Sequence, residues 1–192
     1  MCSDFVEKVE NTPIIAAIKN TEGLEVCLKT DIDVIFVLFG DVCSIPKIVK
    51  KIKDAGKIAM VHIDLISGLS GKDIAVDYIK KNTQADGIIT TKNNLIAHAK
   101  EVGLNTILRY FVLDSMALVN IENQAKQSNI QPDIIEIIPG VVVPKIIKCI
   151  DKITKVPVMA GGLISDKEDV MNALSSGAIS ISTTNQSVWF LD

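Results

Sequence analysis

Pro157-Val158-Met159-Ala160-Gly161-Gly162-Leu163-Ile164-Ser165, followed by Gly177-Ala178-Ile179-Ser180-Ile181-Ser182-Thr183-Thr184-Asn185, decides how this chain is read. Each segment is an apolar run that ends in glycine or small polar residues, the form of a buried strand entering a loop. Between them lies room for one helix. Glycine turns expose backbone N–H groups, and such groups beside a helix N-terminus hold anions. In an eight-fold βα barrel, the loops after strands seven and eight form the usual phosphate site. The fold therefore turns on whether these are strands seven and eight.

Counting outward from them gives apolar runs at 14–18, 34–39, 58–63, 87–90, 106–112, 134–138, 156–160 and 178–183. Every gap is long enough for a helix, as parallel strands require. Three junctions share one grammar: Asp54-Ala55-Gly56, Glu101-Val102-Gly103 and Ser175-Ser176-Gly177 each close a helical pattern with glycine before a strand. Ser165 with Glu168 reads as a capping box, and Ser44 and Asp114 as N-caps. Asp4 with Glu7 suggests a short helix within a leading segment, 1–12. No linker or low-complexity tract divides residues 1–192, so the expectation is one compact (β/α)8 TIM-type barrel of parallel strands. A doubly wound sheet would carry a glycine fingerprint after its first strand, where this chain has Lys19-Asn20-Thr21.

Composition agrees. Of the 192 residues, 48% are apolar and only 4% aromatic, a balance suited to parallel strands buried on both faces. No apolar run approaches the ~18 residues of a membrane span, and Met1-Cys2-Ser3-Asp4 is not the start of a secretory signal. Cys2, Cys27, Cys43 and Cys149 form no C-x-x-C pair, which points to reduced thiols in a cytoplasmic protein. A net charge of −3 gives no whole-protein attraction to nucleic acid. Two local basic groups stand out, Lys47, Lys50, Lys51, Lys53 and Lys57, then Lys145, Lys148, Lys152 and Lys155 at helical spacing. Solvated helix faces explain both without further function.

Polar residues on the apolar runs mark the candidate site. His62 and Asp64 close the third run and, two apart, are expected to point the same way. Arg109 interrupts the fifth. Glu136 sits within Ile134-Ile135-Glu136-Ile137-Ile138, where a bare carboxylate would cost several kcal/mol, roughly, so a partner is needed and Arg109 is the obvious one. Such a pair can fill a barrel structurally or touch a ligand. His62, Asp64 and Glu136 are also compatible with a divalent ion, but nothing asks for one. No cofactor or metal is expected. Gly161, Gly162, Thr183, Thr184 and Asn185 form the expected phosphate cradle, with Ser187 opening a last short helix. Lys19 and Lys92, just past the first and fourth runs, can add positive charge. No G-x-S-x-G elbow, Walker loop, H-E-x-x-H or mid-strand Schiff-base lysine is present, so no catalytic residue is assigned.

The ordered pieces resemble one family. They are Pro13-Ile14-Ile15-Ala16-Ala17-Ile18-Lys19-Asn20, His62-Ile63-Asp64-Leu65-Ile66-Ser67-Gly68, Gly87-Ile88-Ile89-Thr90-Thr91-Lys92 and Arg109-Tyr110-Phe111-Val112-Leu113-Asp114. Glu136-Ile137-Ile138-Pro139-Gly140, Ala160-Gly161-Gly162-Leu163-Ile164 and Thr183-Thr184-Asn185 complete the set. Together they resemble the glycerol-3-phosphate-responsive antiterminators, from about Pro13 to about Trp189. The H-x-D-L-I-x-G and E-I-x-P-G pieces are the specific ones. The resemblance implies a regulator, not an enzyme, that binds glycerol 3-phosphate and acts on the mRNA leader of a glycerol uptake operon. It implies phosphate contacts from Gly161, Gly162, Thr183, Thr184 and Asn185, and a cavity lined by His62, Asp64, Arg109 and Glu136. Lys19 and Lys92 stand where the family tends to carry a basic residue, often arginine. Two other readings stay open: a barrel isomerase or lyase using Asp64 or Glu136 as base on a small phosphorylated substrate, and a phosphate-binding barrel without RNA activity. The oligomeric state is open, a homo-oligomer included.

Overall fold

The computed structural model describes residues 4–127 and 130–191. Eight parallel strands close in sequence order into a barrel. They are β1 (Ile14–Ile18), β2 (Val34–Val37), β3 (Ile58–His62), β4 (Gly87–Thr90), β5 (Asn105–Phe111), β6 (Ile134–Ile138), β7 (Val158–Gly161) and β8 (Ile181–Thr183). The helices are α1 (Asp4–Glu10), α2 (Thr21–Cys27), α3 (Ile45–Asp54), α4 (Asp73–Asn82), α5 (Asn93–Glu101), α6 (Ser115–Gln127), α7 (Val143–Ile153) and α8 (Lys167–Ser175). The two segments that opened the sequence reading are strands seven and eight, and β8 closes the barrel onto β1 with Ala16 opposite Thr183.

The local grammar explains most boundaries. Gly56, Gly103 and Gly177 take positive φ where their helices stop. Asp114 accepts from the Ala117 N–H at the start of α6. The eighth strand begins later than its apolar run because Ser180 Oγ donates to the Thr12 carbonyl at 2.6 Å, holding 178–180 against the turn before β1. The cap of α8 is displaced by one residue from Ser165. Asp166 accepts from the Asp169 N–H, and Asp169 in turn accepts from both the N–H and Oγ of Ser165. Ser44 precedes α3 without a side-chain capping bond, because its Oγ accepts from the Asp41 N–H instead.

Inside the barrel, Ile15, Val34, Phe36, Met60, Ile89, Ile107, Ile134 and Met159 form one cluster with Phe5, Val6 and Val9 of α1. That leading helix therefore stoppers the amino-terminal end of the strands, and each fully buried side chain of this size contributes roughly 1.5–3 kcal/mol. Outside, apolar helix faces pack on the alternate strand residues in two further clusters. Strands β1 to β7 are each followed by a helix, whereas β8 is followed only by the 3-10 turn Gln186–Phe190. A cavity of about 670 Å³ lies on this outer wall, against Ile14, Val170, Met171, Leu174, Trp189 and Phe190. It is away from the strand ends where barrels bind ligands. No helix is long and apolar enough to cross a membrane among the described residues. Cys27, Cys43 and Cys149 are free thiols, and Cys2 lies outside the described residues.

Candidate functional site

At the carboxyl ends of the strands the interior changes from apolar to charged. Arg109 and Glu136 are register partners on β5 and β6. The Arg109 Nε donates to Glu136 Oε2 at 2.7 Å, and Ser182 Oγ donates to Oε1 at 2.6 Å. Glu136 is fully buried and Arg109 is 8% exposed. A charge so placed is tolerable only with its partners in position. Ser182 was not singled out in the sequence, yet Ser180-Ile181-Ser182 carries a signal for it: a polar residue at every second position turns a hydroxyl inward.

Gly161 is where the structure and the sequence reading part most clearly. A Cβ there would come within 2.3 Å of Glu136 Oε1 and 2.7 Å of Ser182 Oγ. Its missing side chain makes room for the buried carboxylate on the neighbouring strand. Gly162, one residue on, has φ +74°, and Leu163 follows with φ +59°, an uncommon conformation for a residue with a side chain. Among the described residues, the N–H groups of Leu163 and Thr184 make no hydrogen bond within the protein. Two clamps bring the β7 and β8 loops together: Thr183 Oγ1 donates to the Ile164 carbonyl at 2.9 Å, and Asn185 Nδ2 to the Ser165 carbonyl at 3.0 Å. The Thr183 side chain therefore faces the outer layer and joins the loops. Asn185 also caps the last 3-10 turn by accepting from the Ser187 N–H and Oγ. Thr184 and Lys19 are exposed at the rim, and the register of β1 with β8 places Lys19 beside the β8 loop.

His62 and Asp64 do not share a direction. The third strand stops at His62, and Ile63–Leu65 is a 3-10 turn, so the period-two rule fails across it. His62 is buried on the interior side with Nδ1 lacking any hydrogen-bond partner among the described residues. Burial, then the positive Arg109, lowers its pKa to about 4, so the ring is neutral. Asp64 turns instead toward β4. It accepts from Lys92 Nζ at 2.7 Å, the Thr91 N–H at 2.8 Å and Thr90 Oγ1 at 3.0 Å. Burial would raise its carboxyl, but these bonds outweigh burial and hold it below the usual range. Lys92 is thus engaged by Asp64, a partner the linear spacing did not reveal. Both carboxylates weighed as bases accept donors on each oxygen, which disfavours proton abstraction. Among the described residues no three His, Cys, Asp or Glu side chains group to hold a metal.

Along the whole barrel the chain matches the family model described as glycerol-3-phosphate responsive antiterminator, over residues 14–189. The chain belongs to this family. Its antiterminator barrel is similar to the glycerol uptake operon antiterminator regulatory protein of Listeria monocytogenes, at 35% identity and a TM-score of 0.87, covering 93% of this chain and 95% of that one. It is also similar to a glycerol uptake operon antiterminator-related protein of Thermotoga maritima, at 32% identity and a TM-score of 0.82, covering 94% and 99%. A sequence relative, the uncharacterized protein YgcP of Escherichia coli, is 42% identical over 183 residues, 95% of this chain and 94% of its own length. The family is regulatory, so the TIM-type antiterminator barrel here is a scaffold for control rather than for turnover.

Proposed function

We propose that this chain is a cytoplasmic sensor that binds glycerol 3-phosphate at the barrel mouth and acts on the leader of a messenger RNA of glycerol uptake. The observation that carries it is the pair of unengaged amides, Leu163 and Thr184, on two loops that the two clamps join. Converging backbone N–H groups favour a phosphate dianion. Lys19 adds charge at the rim, whereas Lys92 must leave Asp64 to contribute. Gly161 and Asn185 shape the cradle, Gly161 by admitting Glu136 and Asn185 by bracing the loop. Below it, the neutral His62 ring and the Arg109 guanidinium offer hydrogen bonds to the glycerol hydroxyls. Control of RNA by the ester requires unequal affinity of the ester for two states of the protein.

Titration calorimetry with glycerol 3-phosphate, glycerol and inorganic phosphate tests the sensor half. The ester is expected to bind more tightly than either fragment, and equal binding would remove the claim. Gly162→Val forces a β-branched residue into positive φ, with its Cβ 3.2 Å from Ile138 Cγ2, and should abolish ester binding while circular dichroism still reports the fold. A gel shift with the 5′ leader transcribed from the gene's own operon, with and without the ester, tests the RNA half. No shift under either condition would leave only the sensor.

A further inference from the structure

We infer that the outer side of α7 is the RNA-facing surface, where Lys145, Lys148 and Lys152, continued by Lys155 beyond the helix, meet the phosphate backbone. The inference rests on the RNA half of the function proposed above and gives that half a location. The two lysine groups of the sequence have different fates. On and after α3, Lys50 pairs with Asp54, Lys51 with Glu25 and Lys53 with Asp86, each at 2.7 Å. Lys57 is buried and donates to the Thr30 and Ile32 carbonyls. Only Lys47 of that group is left over. On and just after α7, all four lysines are exposed, and among the described residues none forms an ion pair. Among the described side chains, an approaching phosphate there displaces no carboxylate.

The shape of the helix fits the same occupant. Val143, Ile147 and Ile150 are buried against the barrel, which fixes the opposite side outward. Lys145 and Lys152 lie seven residues apart, about 10 Å along the axis at 1.5 Å per residue, with Lys148 between them on one face. That is a row of point charges, suited to a sugar–phosphate chain. Among the described side chains, the exposed neighbours on α7 are Pro144 and Cys149. The row therefore lacks the bulky apolar residues by which a helix enters a lipid surface or anchors a protein partner. In a chain with a net charge of −3, such a strip sets a local field opposite in sign to the whole. It is also coupled to the mouth. The turn that starts α7 donates from the Gly140 N–H to the Gly162 carbonyl at 2.9 Å, so the proposed cradle and the strip share a loop.

The test compares Lys145→Ala/Lys148→Ala/Lys152→Ala with Lys47→Ala/Lys50→Ala/Lys51→Ala, using the labelled 5′ leader across a salt series. Losing three contacts should weaken RNA binding about 10- to 100-fold near physiological salt and make the log–log salt slope shallower by about two. The α3 variant should change affinity less than about threefold, and both variants should keep wild-type ester binding by calorimetry. If wild-type protein binds the leader and the α7 variant binds equally well, the location is overturned while the RNA function stands. If wild-type protein binds no RNA, that half of the function falls and the location with it; the ester titration then reports separately on the sensor. Wild-type binding to phosphatidylserine vesicles in place of RNA, lost in the α7 variant, would assign the strip to a membrane and overturn the inference.

Discussion

The two ends of this barrel solve opposite problems with the same eight strands. At the amino-terminal end the interior is apolar and stoppered by Phe5, Val6 and Val9. At the carboxyl-terminal end it holds a buried arginine, glutamate and histidine, with two loops clamped above them. The lower half contributes stability by burial alone. The upper half incurs desolvation and recovers it only while every partner is present. The proposed binding site and the fragility therefore lie at the same end, as the division of labour in βα barrels leads one to expect.

The largest effect that would break this contrast comes from Arg109→Met. It strands the Glu136 charge with Ser182 as its remaining partner, and should cost about 3–5 kcal/mol in urea unfolding. The double change Arg109→Met with Glu136→Leu should recover most of that loss yet still bind no ester. If the double variant is as unstable as the single, the pair is not the source of the fragility. Phe5→Ala at the other end should cost about 3 kcal/mol and leave ester affinity within about twofold, because it empties the stopper without touching the mouth. A large loss of affinity there would show that the two ends are not separable.

A smaller effect concerns pH. His62 has its folded pKa lowered to about 4, below the ordinary value near 6.5, so the unfolded chain takes up the proton first. Its contribution is present above the unfolded pKa and is lost as pH falls from there toward the folded pKa, at up to about 1.4 kcal/mol per pH unit. The exposed-side His98 has the opposite sign: hydrogen bonding to Asp77 raises its pKa, so its contribution is lost as pH rises. His62→Gln should flatten the urea midpoint between about pH 6.5 and 4; an unchanged profile would deny that the buried ring matters. The smallest expected effect is Thr183→Val, which removes one loop clamp and should cost about 1 kcal/mol, with a greater relative loss in ester affinity than in stability.

The strands were legible because each is an apolar run bounded by glycine or polar residues, and a sheet buried on both faces leaves that imprint. Three details the linear spacing did not reveal have one origin, the capture of a side chain by a group distant or adjacent in sequence. Asp64 left the direction of His62 because the strand ended in a 3-10 turn and Thr90, Thr91 and Lys92 gathered its oxygens. Lys92, expected to add positive charge past the fourth strand, is met by Asp64 for the same reason. The Ser165 box moved one residue because Asp169 took the Ser165 N–H and Asp166 accepted from the Asp169 N–H. Gly161 carried a glycine signal that fits an anion loop, and the sequence alone does not say that the atom excluding its Cβ belongs to Glu136. The Arg109–Glu136 pair was foreseeable, since a carboxylate among isoleucines demands a cation on an adjoining strand.

One contact beneath the β8 loop has a practical sequel. The chain has a single tryptophan, and the Trp189 Nε1 donates to the Thr183 carbonyl at 2.9 Å, at the base of the proposed cradle. The indole is thus a native optical probe of that loop. If the ester binds at the proposed cradle, a change in indole emission is expected on titration without any attached dye.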